Sequence, residues 1–340
     1  MRIMGRRRAL VGVLAGSLLL TGCNAGPGQV GAAVIIDGKS TSVDRVQEMI
    51  DKAVREHPYG QQLAKEHKLD LVGREIVRQE ILHELTLRAA QREGVGVDES
   101  LVVAALQKDP LAAPMEAAQQ GDVATNVQQL VARVRNHRDA LVDAALQTQL
   151  ALKYVDKLVV TVDHVAVSAP KADAGGTPAA VDPGELRERA FEKARQFASS
   201  PDAAAQAVAQ EAQGNPQEAG LGDKAAAAQS PAFASTVMFG SPVNTVVAFQ
   251  PSPEQPQWLV VAVRERAADK PVSVDQEAPP SAQQLAKIGI RFLQPYVDQL
   301  DLTVNPRYGV WDVVGMDLAA NEASKKGIVL PVRGATPQQR

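Results

Sequence analysis

Cysteine is nearly missing from this 340-residue chain: there is one, at position 23. No intrachain disulfide is possible, and no cysteine-based metal centre can form. Aromatic side chains make up only 4% of residues. A core must therefore be assembled from alanine and aliphatic side chains, which suits packed helices. After residue 22 no segment approaches twenty apolar residues, so nothing there is expected to cross a bilayer. Also absent are a Gly-x-Ser-x-Gly elbow and a phosphate-binding loop of the Gly-x-x-x-x-Gly-Lys kind. No two histidines have His-x-x-x-His spacing. His57, His67, His83 and His137 read as scattered over polar helix faces and breaks. No metal site is expected, and no cofactor is implied.

What is present starts at the N-terminus. Arg2, Arg6, Arg7 and Arg8 form a basic head before an apolar stretch from Ala9 to Leu20. That stretch is too short to span a membrane and has the length of a signal-peptide core. Leu20-Thr21-Gly22-Cys23 follows, with a small residue ahead of the lone thiol, which is the lipobox pattern. The expectation is a signal segment over 1–22, acylation of Cys23, and a Gly/Pro-rich tether over 23–31. Two or more acyl chains hold a protein stably at a membrane where one does not. The expected location is the extracytoplasmic face of the cell membrane. Removing 1–22 leaves 32 basic and 39 acidic residues, a net charge of −7. Such a chain has no electrostatic reason to bind nucleic acid.

Ala32 to Ile36 reads as a strand ended by an Asp37-Gly38 turn. Thr41 and Asp44 have capping-box spacing ahead of a helix carrying Val43, Val46, Ile50 and Val54. Further helices are predicted from about Leu71 to Arg92, stopping at Gly94, and from Glu99 to Gln107. One long helix is predicted from about Val123 to Leu158. Its charged residues Arg133, Arg135, Arg138 and Asp139 read as a solvated face. From Val159 the composition turns β-branched. A strand to Val167 contains His164, helices follow near 185–198 and 202–213, and strands are predicted at Val243–Phe249 and Trp258–Val263. Ser281 to Leu300 reads as a helix and Leu302 to Val304 as a strand. The expected class is α+β, mostly helical, with 32–158 and 281–312 forming one discontinuous domain around an inserted 159–267 unit. Residues 313–340 are expected to be a flexible tail.

This layout resembles the exported foldases of the SurA/PrsA type, in which a helical chaperone domain accompanies a parvulin-like prolyl isomerase domain. Val34 to Ile36, the Asp37-Gly38 turn and the capped helix resemble that family's opening, and Ser281 to Val304 its returning helix and strand. Within the insert, His164-Val165-Ala166-Val167 is similar to the family's histidine-bearing strand, and Gly220-Leu221-Gly222 to the end of its glycine turn. Phe233 falls at the proline-pocket phenylalanine, with Met238 at the aromatic five residues later. The resemblance thus implies a catalytic role for His164 and a substrate pocket at Phe233, Met238 and Phe239. The departures point to lost catalysis. Gln257-Trp258-Leu259-Val260-Val261 lacks the family's second histidine, Gln229 replaces the pocket methionine, and Glu218 and Ala219 replace two turn glycines.

The expected function is an anchored chaperone holding unfolded or nascent exported polypeptides in apolar grooves between helices, without isomerase activity. An active isomerase with an atypical site and a scaffold for one cell-envelope partner are the alternatives. For His164, a hydrogen-bonded histidine within a packed sheet stands beside the catalytic reading. For Phe233, Met238 and Phe239, plain core residues stand beside a ligand pocket.

Overall fold

The structure is a computed structural model, and it describes residues 31–119, 121–169, 182–229, 231–252, 256–272 and 280–335. The expected signal segment, Cys23 and the expected tether up to residue 30 lie outside the described residues. The class is α+β, with more helix than strand.

The first strand, β1 (Ala32–Ile36), turns back through Asp37 and Gly38 into β2 (Lys39–Ser42). Both turn residues have positive φ, at 48° and 79°, as a tight primed hairpin turn requires. Ser42 then caps α1 (Val43–Glu56) by accepting from the Arg45 N–H at 3.1 Å. The cap is therefore Ser42, one residue beyond the expected Thr41. Pro58 opens α2 (Pro58–Lys65) at a position where its missing N–H costs nothing. The helix α3 (Leu69–Glu93) ends on Gly94 in the left-handed region, as the sequence predicted. Asp98 caps α4 (Glu99–Lys108).

The single long helix expected next is two: α5 (Val123–Val134) and α6 (His137–Tyr154). Arg135 and Asn136 are extended between them, and the Asn136 side chain accepts from the Asp139 N–H at 3.2 Å to start the second helix. Then come β3 (Val159–Val167), α7 (Pro183–Phe197), α8 (Ala203–Gly214), β4 (Ala219–Ala226) and the single-turn helices α9 (Pro231–Ala234) and α10 (Val237–Gly240). Next are β5 (Thr245–Phe249), β6 (Trp258–Ala267) and α11 (Ala282–Phe292), which a Ser281/Gln284 capping box opens. The chain closes with β7 (Leu302–Val304), β8 (Val310–Asp312), β9 (Asp317–Ala319) and β10 (Gly327–Pro331).

The strands form a β2-β1-β7 sheet, a β10-β5-β6-β3-β4 sheet and a β8-β9 hairpin, all antiparallel. In the first sheet Val34 lies opposite Val304, so segments from both ends of the described chain share one ladder. The last segment corrects the expectation of a flexible tail from residue 313. There β9 pairs with β8, and β10 runs along β5 from Gly327 opposite Phe249 to Pro331 opposite Thr245. Residues 336–340 lie outside the described part.

Three apolar clusters hold these layers. One joins α1, α2, α3, α5 and β1 through residues such as Val46, Leu63, Ile76, Leu82 and Leu130. A second lies on one face of the five-stranded sheet, where Val160, Val247 and Val261 meet Met238, Phe239, Ile288 and Phe292. A third covers the opposite face with α7 and α8, through Phe191, Phe197 and Trp258. The middle cluster takes residues from α6 and α11 as well as from the insert, so the expected boundary at 158/159 runs through one packed core. No helix among the described residues is long and apolar enough to cross a membrane.

Candidate functional site

The candidate site is the middle of β3, where Asp163 and His164 interrupt a β-branched strand. Side chains alternate across a sheet, so these neighbours point to opposite faces. Asp163 is 2% exposed, and a carboxylate that deep needs partners. Two bulges supply them. In β4 the register slips between the Val162–Asp223 and His164–Gly220 pairs, leaving Leu221 and Gly222 over. Gly222 takes φ +67°, and its N–H donates to Asp163 Oδ1 at 2.9 Å. In β6 the register slips between the Thr161–Glu265 and Val162–Val263 pairs, leaving Arg264 over. Its Nε lies 3.5 Å from Asp163 Oδ2, and its guanidinium also donates to the Pro201 carbonyl. Asp163 is thus a pin held between bulges in both neighbouring strands.

His164 sits half-buried on the other face, with its Nδ1 3.5 Å from Asp223 Oδ2. Gly220 lies beneath this pair, and a Cβ there would overlap both the imidazole and the Asp223 carboxylate. The Gly220-Leu221-Gly222 motif therefore has a local cause: the first glycine makes room for the ring and the second forms the bulge. Sequence reading found both glycines and His164 but not Asp163, Asp223 or Arg264. The available signal was a charged residue inside Val159–Val167.

The expected pocket residues do not form a hollow. Met238 is 1% and Phe239 0% exposed, and both belong to the core under the sheet. Phe233, partly buried, stacks edge-on against Phe239 with centroids 5.4 Å apart. Met238 and Phe239 have no free face to clasp a proline ring, which leaves Phe233 alone partly exposed. Gln229, at the pocket methionine position, has a structural task, accepting from the Ala226 N–H at 3.1 Å. Trp258, in the strand that lacks a second histidine, packs against Phe191 in the third cluster. Beside the end of β3 a cavity of about 540 Å³ lies against α7 and α8, lined by charged residues such as Arg189, Glu192, Lys193, Glu211 and Glu218. Two of its edges are closed by hydrogen bonds, Lys193 to Glu211 at 3.1 Å and Ser168 to Glu218 at 3.2 Å.

Other sequence readings are corrected by burial. Arg135, expected on a solvated face, is 8% exposed and donates to Asp143 at 2.8 Å and Gln79 at 3.0 Å. His83 lies 2.7 Å from the other oxygen of Asp143, and that hydrogen bond raises its pKa. His57 does lie at the break between α1 and α2, and it is buried there. Its Nδ1 accepts from the Met115 N–H at 3.1 Å, and burial lowers its pKa. Among the described residues no three His, Cys, Asp or Glu side chains gather as a metal site.

Among the described helices, α3, α5 and α6 each expose one large apolar side chain (Leu87, Val123 and Leu152), and α4 exposes two. Six apolar residues run from Leu101 to Leu106, and only Val102 is buried. Leu101 is 68% and Val103 44% exposed. Both ends of α4 are tied to the start of α6, through Glu99 to Arg138 at 2.7 Å and Asp109 to His137 at 2.9 Å.

No protein-family model matches this chain. No curated protein matches it either.

Proposed function

We propose that this chain is a lipid-anchored extracytoplasmic chaperone that holds unfolded exported polypeptides without isomerising them. The observation that carries this reading is the exposed apolar run of α4. A helix normally turns such residues inward, because burying one leucine or valine contributes about 1.5–3 kcal/mol. Here Leu101 and Val103 stay in water on a helix whose two ends touch the start of α6, through Glu99 to Arg138 and Asp109 to His137. Two residues apart, they flank the buried Val102 on either side of the helix, and apolar segments of a client cover them. Two such side chains supply roughly 3–6 kcal/mol before the cost of association, so capture is weak and release fast. Contacts of this kind read little sequence, which suits many clients. The expected grooves between helices are replaced in this reading by the two exposed flanks of α4.

The discontinuous arrangement also belongs to the proposal: a helical unit from 32–158 and 281–312, with a degenerate parvulin-like unit inserted over 159–267. The order of elements in the insert and the antiparallel pairing of β1 with β7 support it. Isomerisation must overcome a barrier of about 18–20 kcal/mol around the X–Pro bond. The filled core at Met238 and Phe239 leaves no clasp for the ring, which supports loss of catalysis.

Aggregation assays with several unrelated unfolded proteins test the function. The chain should suppress aggregation of most of them, and L101S/V103S should lose that effect. Suppression for none of them overturns the proposal. One observation favours a catalytic reading, the His164–Asp223 pair. A protease-coupled assay on proline tetrapeptides decides it: turnover that disappears in His164→Ala would establish an enzyme, and the account here expects none.

A further inference from the structure

A second cavity, of about 450 Å³, lies between α1 and the break that separates α5 from α6. Its volume is within the range of small-ligand sites. Arg45, Lys52 and Arg55 line it from one face of α1, the spacings i, i+7 and i+10 bringing them into a row. Glu48 is the acid in that row, and it pairs with Arg45 at 3.4 Å while both remain largely exposed. Lys52 Nζ donates to the Val134 carbonyl at 3.3 Å, which leaves its charge uncompensated. Arg55 is exposed and makes no ion pair among the described residues. Arg135 also lines the cleft, but its charge is spent on Asp143. Asn136, the N-cap of α6, stands at the rim, so the positive end of that helix dipole adds to the field. The floor is apolar, from Met49 and Val134.

The position of the cleft gives it meaning. The Val43 N–H donates to the Gly31 carbonyl at 2.7 Å, so the chain enters the fold beside the first turn of α1, two residues before Arg45. Seven residues lie between Cys23 and Gly31, which makes eight Cα-to-Cα steps. At about 3.3–3.6 Å each they reach at most about 29 Å. The processed chain carries a net −7, so an anionic leaflet repels most of its surface. A basic cleft next to the tether is the part such a leaflet attracts.

We propose that the Arg45–Lys52–Arg55 cleft binds the phosphate headgroup of an anionic phospholipid and thereby sets which face of the anchored protein meets the membrane. The orientation rests on the lipid-anchor reading; binding by the cleft does not. The row grips the phosphate through charge-assisted hydrogen bonds, and Met49 and Val134 lie against the headgroup's glycerol carbons.

The test uses the full processed chain carrying Cys23→Ser, which cannot be acylated, and vesicle sedimentation at low salt. It should sediment with phosphatidylglycerol vesicles and stay in solution with phosphatidylcholine. Each lysine or arginine at an anionic surface contributes about fivefold to binding. Lys52→Gln with Arg55→Gln should therefore weaken it about thirtyfold, at an unchanged melting temperature. Arg189→Gln with Arg195→Gln on α7 should leave binding as it was. Equal binding to both vesicle types, or an unaffected Lys52/Arg55 variant, overturns the proposal. Excess inorganic phosphate should compete more than sodium chloride of the same ionic strength, whereas binding of phosphate with no binding to either vesicle would make the site one for free anions and also overturns the proposal. The anchor is tested apart, by the mass of the Cys23 peptide from the native chain. A missing acyl group overturns the anchor, while the vesicle result for the Cys23→Ser chain stands or falls alone.

Discussion

At the scale of single residues, two glycines of β4 and two histidines carry testable chemistry. Gly220 exists so that the His164 ring and the Asp223 carboxylate can lie over it. Gly220→Ala should displace both and cost about 1–3 kcal/mol, as overpacking does, read as a lower urea midpoint. Gly222→Ala should also destabilise, because its φ of +67° strains any residue with a Cβ. His57 is the pH-sensitive case. Burial holds its folded pKa below the ordinary 6.5, so the unfolded chain takes up the proton first. Its contribution is intact above about pH 6.5 and is lost as pH falls toward the folded value. Protonation also removes the acceptor for the Met115 N–H. The groups facing it are Glu56, Arg133, Lys52 and His137. His83, raised by Asp143, has the opposite sign: its contribution is present in acid and lost as pH rises through its folded pKa. In chemical denaturation, His57→Gln should therefore flatten the acid side of the stability profile and His83→Gln the neutral side. An unchanged acid limb in His57→Gln would contradict the burial argument.

At the scale of elements, the break between α5 and α6 separates what the sequence reveals from what it hides. Val127, Leu130, Val134, Leu141, Ala145 and Leu152 keep helical spacing through the break, so periodicity alone reads one helix. The cue was Asn136 with Asp139 three residues on, a cap whose partner is a backbone N–H. The break turns Arg135 inward, onto Asp143 and Gln79. Arg135→Ala should cost about 3–5 kcal/mol, since it leaves the Asp143 carboxylate buried without that partner. Arg138→Ala, one helical turn away and exposed, should barely move the melting temperature. Equal effects would restore the solvated-face reading. Strands β3 and β7 were legible to the residue, because β-branched runs bounded by turn residues have few alternatives. The site was legible only in part. His164 and the glycines stand out in the sequence, whereas Asp163 gains its role from two bulges in strands distant along the chain. Pattern within one segment does not report register between segments.

At the scale of the molecule, the same limit explains the misread C-terminus. The segment Gly327–Pro331 has five residues and weak alternation, and it becomes a strand only because β5 offers an edge. A chain ending at Lys326 should expose that edge and unfold at a markedly lower temperature, measured by circular dichroism. An unchanged melting curve would return residues 327–340 to the status of a tail. The three clusters divide the work between stability and surface. Cores under both faces of the five-stranded sheet are filled, Met238 and Phe239 among them, and of the large apolar residues left in water α4 carries Leu101, the most exposed, and Val103. The central claim is that the exposed apolar residues of α4 hold unfolded chains. It is tested most directly by light scattering from chemically denatured clients diluted into the wild-type chain or L101S/V103S. The account predicts strong suppression by the first and little by the second, with both equally folded. Equal suppression by the two would contradict it.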